Sequence, residues 1–258
     1  MKKKSITRYY IIVAILSVLV MSCGGGTSSE KSKNPQITIT TEVEVGTLFS
    51  FYFERSANDT AAIWVDLNND KVQDEGELIY PDELTEFKGI LDASTFTIYG
   101  DISYINLNVK KITDLDISKC PNLKEIRATS NKLTSIDLTK NLQLTDLQIA
   151  NNELTELDLS NNAALKELWI DSNKIKTIKA KKFNQLRRII CQDNEISAKS
   201  MIELFKAVQH VEKPGGAVAE VSYDTEEDLN EVPQEAVDIA KSKNWRLIKT
   251  TREGEIEY

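Results

Sequence analysis

Oxygen-bearing side chains gather in one short stretch, Asp66-Leu-Asn68-Asn-Asp70-Lys-Val72-Gln-Asp74-Glu-Gly-Glu77. Counted from Asp66, the side chains of Asp66, Asn68, Asp70, Asp74 and Glu77 stand at positions 1, 3, 5, 9 and 12, and Val72 at position 7 can offer its backbone carbonyl. A hard cation such as calcium takes six to eight oxygens, and a terminal glutamate can supply two of them. The expected role of such an ion is structural. The same residues also suit a plain acidic hairpin loop, because Asn and Asp favour turns. Elsewhere the chemistry is thin. There is no glycine-rich phosphate loop, no G-x-S-x-G, no H-E-x-x-H and no nucleophile paired with a histidine. His210, the single histidine, has no Cys or carboxylate at ligand spacing and reads as structural or solvated. The expectation is that this chain is not an enzyme.

The acidic stretch resembles a calcium loop of the EF-hand or dockerin type, with one departure: Lys71 stands where such loops place glycine for a sharp turn. Trp64-Val65 before it and Leu78-Ile-Tyr80 after it have strand character, not helix character. They belong to a β-rich region, residues 36–100, in which Ile37–Val43, Thr47–Phe53, Ala61–Asp66 and Thr95–Tyr99 alternate and carry β-branched and aromatic residues. Four or five short antiparallel strands are expected there.

The element that organises the chain is Ile102 to Ile196, about 95 of 258 residues. In blocks of 21 it begins Ile102-Ser-Tyr-Ile, Leu123-Lys-Glu-Ile, Leu144-Thr-Asp-Leu, Leu165-Lys-Glu-Leu and Leu186-Arg-Arg-Ile, with apolar residues at positions 1, 4, 6 and 11. Ala128 and Cys191 are conservative swaps at position 6. Position 9 is Asn131, Asn152, Asn173 and Asn194, and Lys110 in the first block. Positions 3 to 7 alternate in and out, the period of a short strand. One strand per block in a constant direction predicts a parallel sheet, each repeat covering its neighbour's apolar face. A buried asparagine needs partners, so position 9 is expected to bond backbone groups of adjacent repeats. The return side, Leu115–Ile117, Ile136–Leu138 and Leu157–Leu159, is expected to be extended or 3₁₀, since 21 residues leave little room for a helix.

The spacing L-x-x-L-x-L-x-x-N-x-L resembles the leucine-rich repeat family, in the short 21-residue type of internalin-J-like adhesins and bacterial leucine-rich repeat surface lipoproteins. The resemblance implies an α/β solenoid of about five coils with a parallel sheet. Residues 36–100 would be its N-terminal antiparallel β cap, residues 101–197 the repeats, and residues 198–258 a helix–strand–helix–strand cap that extends the sheet. The cap module's last strands are expected to run straight into the repeat sheet.

Outward positions then form three rows on a concave face: Tyr104, Glu125, Asp146, Glu167, Arg188; Asn106, Arg127, Gln148, Trp169, Ile190; and Asn108, Thr129, Ala150, Asp171, Gln192. Three successive acids repel across strands about 4.8 Å apart, with Arg127 and Arg188 relieving this in part. Trp169 beside Ile190 puts apolar surface in a charged face, the composition of a binding anchor. The site expected from this reading is Tyr104, Glu125, Arg127, Asp146, Gln148, Glu167, Trp169, Asp171, Arg188 and Ile190, taking a protein ligand with basic character. A glycan stacking on Trp169 and Tyr104, or a purely structural envelope role, are the alternatives.

Residues 1–22 read as an export signal: Lys2, Lys3, Lys4 and Arg8, then an apolar run of 13 from Tyr9 to Met21, shorter than the roughly 20 residues a bilayer span needs. Val20-Met21-Ser22-Cys23 resembles a bacterial lipobox, which implies cleavage before Cys23 and its lipidation, with residues 23–35 as a flexible tether. Localisation at the outer membrane, on the cell surface or its periplasmic face, follows from that resemblance, with the membrane met through the lipid alone. Loss of residues 1–22 removes four basic and no acidic residues, taking the net charge from −8 to −12. Such acidity argues against nucleic acid as a partner. Cys120 and Cys191 lie three repeats apart, beyond the roughly 7 Å Cα reach of a disulfide, and are expected to be buried thiols.

Overall fold

The computed structural model describes residues 35–57, 62–74, 77–79, 84–225 and 228–258. Cys23, the leader and all of the tether before residue 35 lie outside the described residues. The strands of the first hundred residues are β1 (Gln36–Thr41), β2 (Leu48–Arg55), β3 (Ile63–Asp66), β4 (Leu78–Ile79), β5 (Thr85–Ile90) and β6 (Thr95–Tyr99). Through the repeats run β7 (Ile102–Asn106), β8 (Ile112–Asp116), β9 (Glu125–Arg127), β10 (Asp146–Gln148), β11 (Glu156–Asp158), β12 (Glu167–Trp169), β13 (Thr177–Lys179) and β14 (Arg188–Ile190). The chain then forms α1 (Ala198–Ala207), β15 (Ala217–Tyr223), α2 (Gln234–Ser242), β16 (Trp245–Thr251) and β17 (Gly254–Glu257).

The fold class expected from the repeats needs correction. Among the described residues the chain is mostly β-sheet, with a ten-stranded mixed sheet and two helices, and is not a parallel-sheet solenoid with helical caps. The ten-stranded sheet runs β17-β16-β15-β14-β12-β10-β9-β7-β2-β5. Its interior, from β7 to β16, pairs parallel in a constant 21-residue register through the repeats: Tyr104 opposite Glu125, Asp146 opposite Glu125, Glu167 opposite Asp146 and Arg188 opposite Glu167. Both ends are antiparallel, through β2 and β5 on one side and β17 on the other. A repeat period reports strands that share a direction. It carries no signal for the antiparallel strands at the two ends of the sheet, which lie outside the repeats.

Residues 36–100 are the region expected as an N-terminal antiparallel β cap. Its strands divide between two sheets: β2 and β5 extend the large sheet, while β1, β3, β4 and β6 join β8 in a five-stranded sheet ordered β4-β3-β6-β1-β8. The last strand, β6, does lead directly to β7, but it lies in the other sheet, and the strand that pairs with β7 is β2. The switch happens at Gly100, whose φ is +135°; a Cβ there would stand 2.6 Å from the Ile63 side chain, so a larger residue would force the strands apart.

Alternation explains how one core serves both sheets. On β2, Phe49, Phe51 and Phe53 point inward while Leu48 and Tyr52 point out. Phe49 meets Phe96 of β6 edge-on at 5.2 Å, and Phe51 lies 5.2 Å from Phe87 of β5. Position 4 of every repeat (Ile105, Ile126, Leu147, Leu168, Ile189) is fully buried in the same cluster. The return side is extended: β8 pairs with β1, and β11 with β13.

Two polar columns lock the repeats. Asn131, Asn152, Asn173 and Asn194 each accept from a backbone N–H of the preceding repeat and donate to carbonyls of the preceding and own repeats; Asn152, for example, accepts from Leu133 and donates to Ala128, Ile149 and Ala150. The residue before each of these asparagines is left-handed: Ser130, Asn151, Ser172 and Asp193, with φ of 53–58°. The first repeat has Val109 (φ 58°) and Lys110 there, and the Thr41 hydroxyl of β1 donates to the Lys110 carbonyl. At the far end Asn230 repeats the pattern, accepting from Ile196 and donating to Cys191 and Val221. A second column is formed by Asn141 and Asn162, whose amides reach back to carbonyls 21 and 24 residues earlier.

Candidate functional site

Strands β7, β9, β10, β12 and β14 hold the outward rows in register because their inward residues are fixed in the core. Arg127 bonds Glu125 through both Nε and Nη2 at 2.6 Å and lies over the Tyr104 ring at 5.5 Å. Arg188 lies over the Trp169 ring at 5.4 Å and pairs with Glu220 of β15 at 3.1 Å. Trp169 donates its indole N–H to Glu167 at 3.3 Å, and Arg187 approaches the other Glu167 oxygen at 3.4 Å. Two arginine–aromatic stacks therefore frame the middle of the sheet, a geometry worth about 0.5–1 kcal/mol per stack at exposed sites.

Between the stacks stand Asp146 and Gln148. Asp146 lies in register between Glu125 and Glu167 and makes no ion pair among the described residues. Two rows from Asp146, and on the next repeat, Asp171 is partly buried. Burial lifts its carboxyl above the ordinary range, the negative charges of Glu220 and Asp193 push the same way, and a hydrogen bond from its own backbone offsets part of the rise. The arrangement is an acidic strip that runs from Asp146, on the strand between the two stacks, to Asp171, two residues beyond Trp169.

The structure brings together nine of the ten residues expected on this face and changes the role of one. Ile190 is 8% exposed: on the outward face it is covered between its neighbours in register, Trp169 and Glu220, and offers little surface to a ligand. Arg188, expected to relieve the acidic row in part, turns instead to Glu220, and Arg187 takes Glu167. The face is also longer than the repeats. Tyr52 and Glu54 of β2 align with Asn106 and Tyr104, and Val218 and Glu220 of β15 align with Arg188 and Ile190. Only the alternation of Leu48–Arg55 signalled the first pair, and that pattern does not say which sheet a strand will join.

The acidic loop is closed by its own hydrogen bonds. Asp66 is fully buried and accepts from the backbone of Asp70 (3.1 Å) and Lys71 (2.8 Å). Glu77, also buried, accepts from Leu67 (3.0 Å) and Asp74 (2.7 Å). Asn68 donates to Asp70 and Asp74, and the Asp70 carboxylate accepts from Val72 N–H. Lys71 takes a φ of +67°, so a lysine makes the left-handed turn expected of glycine. Among the described residues no group of three or more His, Cys, Asp or Glu is arranged around a common metal position.

No family model, curated protein or solved structure matches the chain.

Cys120 and Cys191 are both free and buried. Burial pushes the Cys120 thiol up to about 12, and that of Cys191 further still. A thiol so held is no nucleophile near neutral pH. His210 lies 3.4 Å from the Asn244 amide at the surface. Among the described residues no helix is long and apolar enough to cross a membrane.

Proposed function

We propose that this chain is a non-catalytic recognition protein, exported and lipid-anchored through Cys23, that binds a cationic protein segment on the outward face of its ten-stranded sheet. The observation that carries the reading is the acidic strip of Asp146 and Asp171, without ion pairs among the described residues, with Asp146 between the Tyr104–Arg127 and Trp169–Arg188 stacks and Asp171 beside the second. A Lys or Arg side chain laid along the strip gains charge pairing and relieves repulsion among the acids, while Trp169 supplies contact area. Kinship with leucine-rich repeat surface lipoproteins belongs to the same proposal, and the asparagine column at 21-residue spacing supports it. Glycan binding is the weaker alternative, because guanidinium groups already occupy a face of both rings on which a sugar would stack. The reading uses no metal.

The test is capture of envelope and host-surface proteins by the full chain, beside Trp169→Ala and Asp146→Lys. A protein retained by the parent, lost in both variants and released by salt supports the reading. A protein retained equally by all three chains moves recognition off this face.

A further inference from the structure

The ten-stranded sheet ends at β5, and among the described residues β5 has a strand on one side only. Its backbone polarity can be read from its neighbour. Leu91 donates to Thr47 and accepts from Gly46, so both its backbone groups point at the β2 side. The β2–β5 ladder runs without a shift from Leu48–Ile90 to Phe53–Thr85. In an antiparallel ladder the direction alternates residue by residue, so Phe87 and Gly89 bond β2, while Glu86, Lys88 and Ile90 turn their N–H and C=O groups outward. Apolar surface collects at the same edge: Leu84 is 54% exposed, Ile90 47%, and Leu48, opposite Ile90, 62%.

We propose that this edge pairs with the β5 edge of a second copy of the chain, antiparallel about a twofold axis through Phe87. The register follows from face and charge. Directly opposed residues of an antiparallel pair share a face, so an axis between two residues would set core-facing Phe87 against solvent-facing Lys88, which the pleat forbids. An axis through Glu86 or Lys88 sets like charges against each other. The axis through Phe87 sets Glu86 opposite Lys88 of the second copy, and Leu84 opposite its Ile90. Each Glu86–Lys88 pair then exchanges both of its backbone hydrogen bonds. Within one copy Glu86 and Lys88 already attract, at 2.8 Å, so both are placed on the exposed face where the exchange needs them. The interface is isologous and joins the two sheets into one. It lies outside the acidic strip and stands or falls independently of the recognition reading.

Two measurements on the full chain test it. Oxidation of Leu84→Cys/Ile90→Cys is expected to give a covalent dimer well above the parent and both single variants, since positions 84 and 90 meet only between copies. Sedimentation of the parent is expected to show a monomer–dimer equilibrium. Lys88→Glu, whose like charges occur twice by symmetry, is expected to weaken it about tenfold or more, and Glu86→Lys/Lys88→Glu to restore it. A parent that stays monomeric, a double-cysteine chain that cross-links no more than the singles, or a charge-swapped chain as weak as Lys88→Glu overturns the proposal.

Discussion

Asn152 shows what a single side chain contributes here. Its amide satisfies one backbone N–H and three carbonyls in two repeats, all away from water, so truncation leaves several buried groups unpaired at about 1–3 kcal/mol each before relaxation. Asn152→Ala is expected to cost about 3 kcal/mol or more in urea unfolding; a loss under about 0.5 kcal/mol would show that water replaces the amide. Asp171 is a case of opposite sign. Its folded carboxyl titrates above its ordinary value because of burial. Its contribution to stability is therefore fully present below the unfolded-state value and is lost as the pH rises through the folded one. Asp171→Asn is expected to unfold at a higher temperature than the parent at neutral pH, with the gap closing on acidification; a gap independent of pH contradicts the assignment. At this scale the sequence was informative. The asparagine column was legible because a polar residue at fixed period in an apolar pattern must be buried and bonded. Burial of Ile190 was not, because it depends on β15, a strand outside the repeat.

The turn that carries each asparagine depends on a left-handed residue before it. Ser130, Asn151, Ser172 and Asp193 suit that conformation, but Val109 does not: it is β-branched, at φ +58°, and 73% exposed. Val109→Asn is expected to stabilise the chain by about 1 kcal/mol, read as a shift in urea midpoint at unchanged slope; a neutral or destabilising result would mean that the Val109 turn is not strained as drawn. The short polar residues at position 8 were visible in the sequence as a weak signal. The elements themselves were largely legible: α1, β15, α2 and β16 follow in the helix–strand–helix–strand order expected of residues 198–258. Strand β5 was missed because Thr85-Glu-Phe-Lys-Gly carries only one core residue, Phe87, at a period-2 position with a large side chain. Strand β17 was missed because all four of its residues are exposed, so no hydrophobic alternation marks it.

At the scale of the whole molecule, periodicity gave the direction and register of the parallel strands and failed on the sheet that contains them. The antiparallel strands at either end turn an expected solenoid into a mixed sheet, and they lengthen the face on which recognition is proposed. Attachment belongs to this scale as well. If Cys23 bears the lipid, Cys23→Ser is expected to lose fatty-acid labelling and to leave the membrane fraction, and labelling that persists would refute the anchor. Recognition as proposed places a cationic protein segment across the two arginine–aromatic stacks. It is tested most directly by hydrogen exchange of the full chain with and without a captured partner. Slowed exchange is expected along β9, β10, β12 and β14, and its loss in Asp146→Lys. Protection confined to the five-stranded sheet or the return side, unchanged by that substitution, would contradict it.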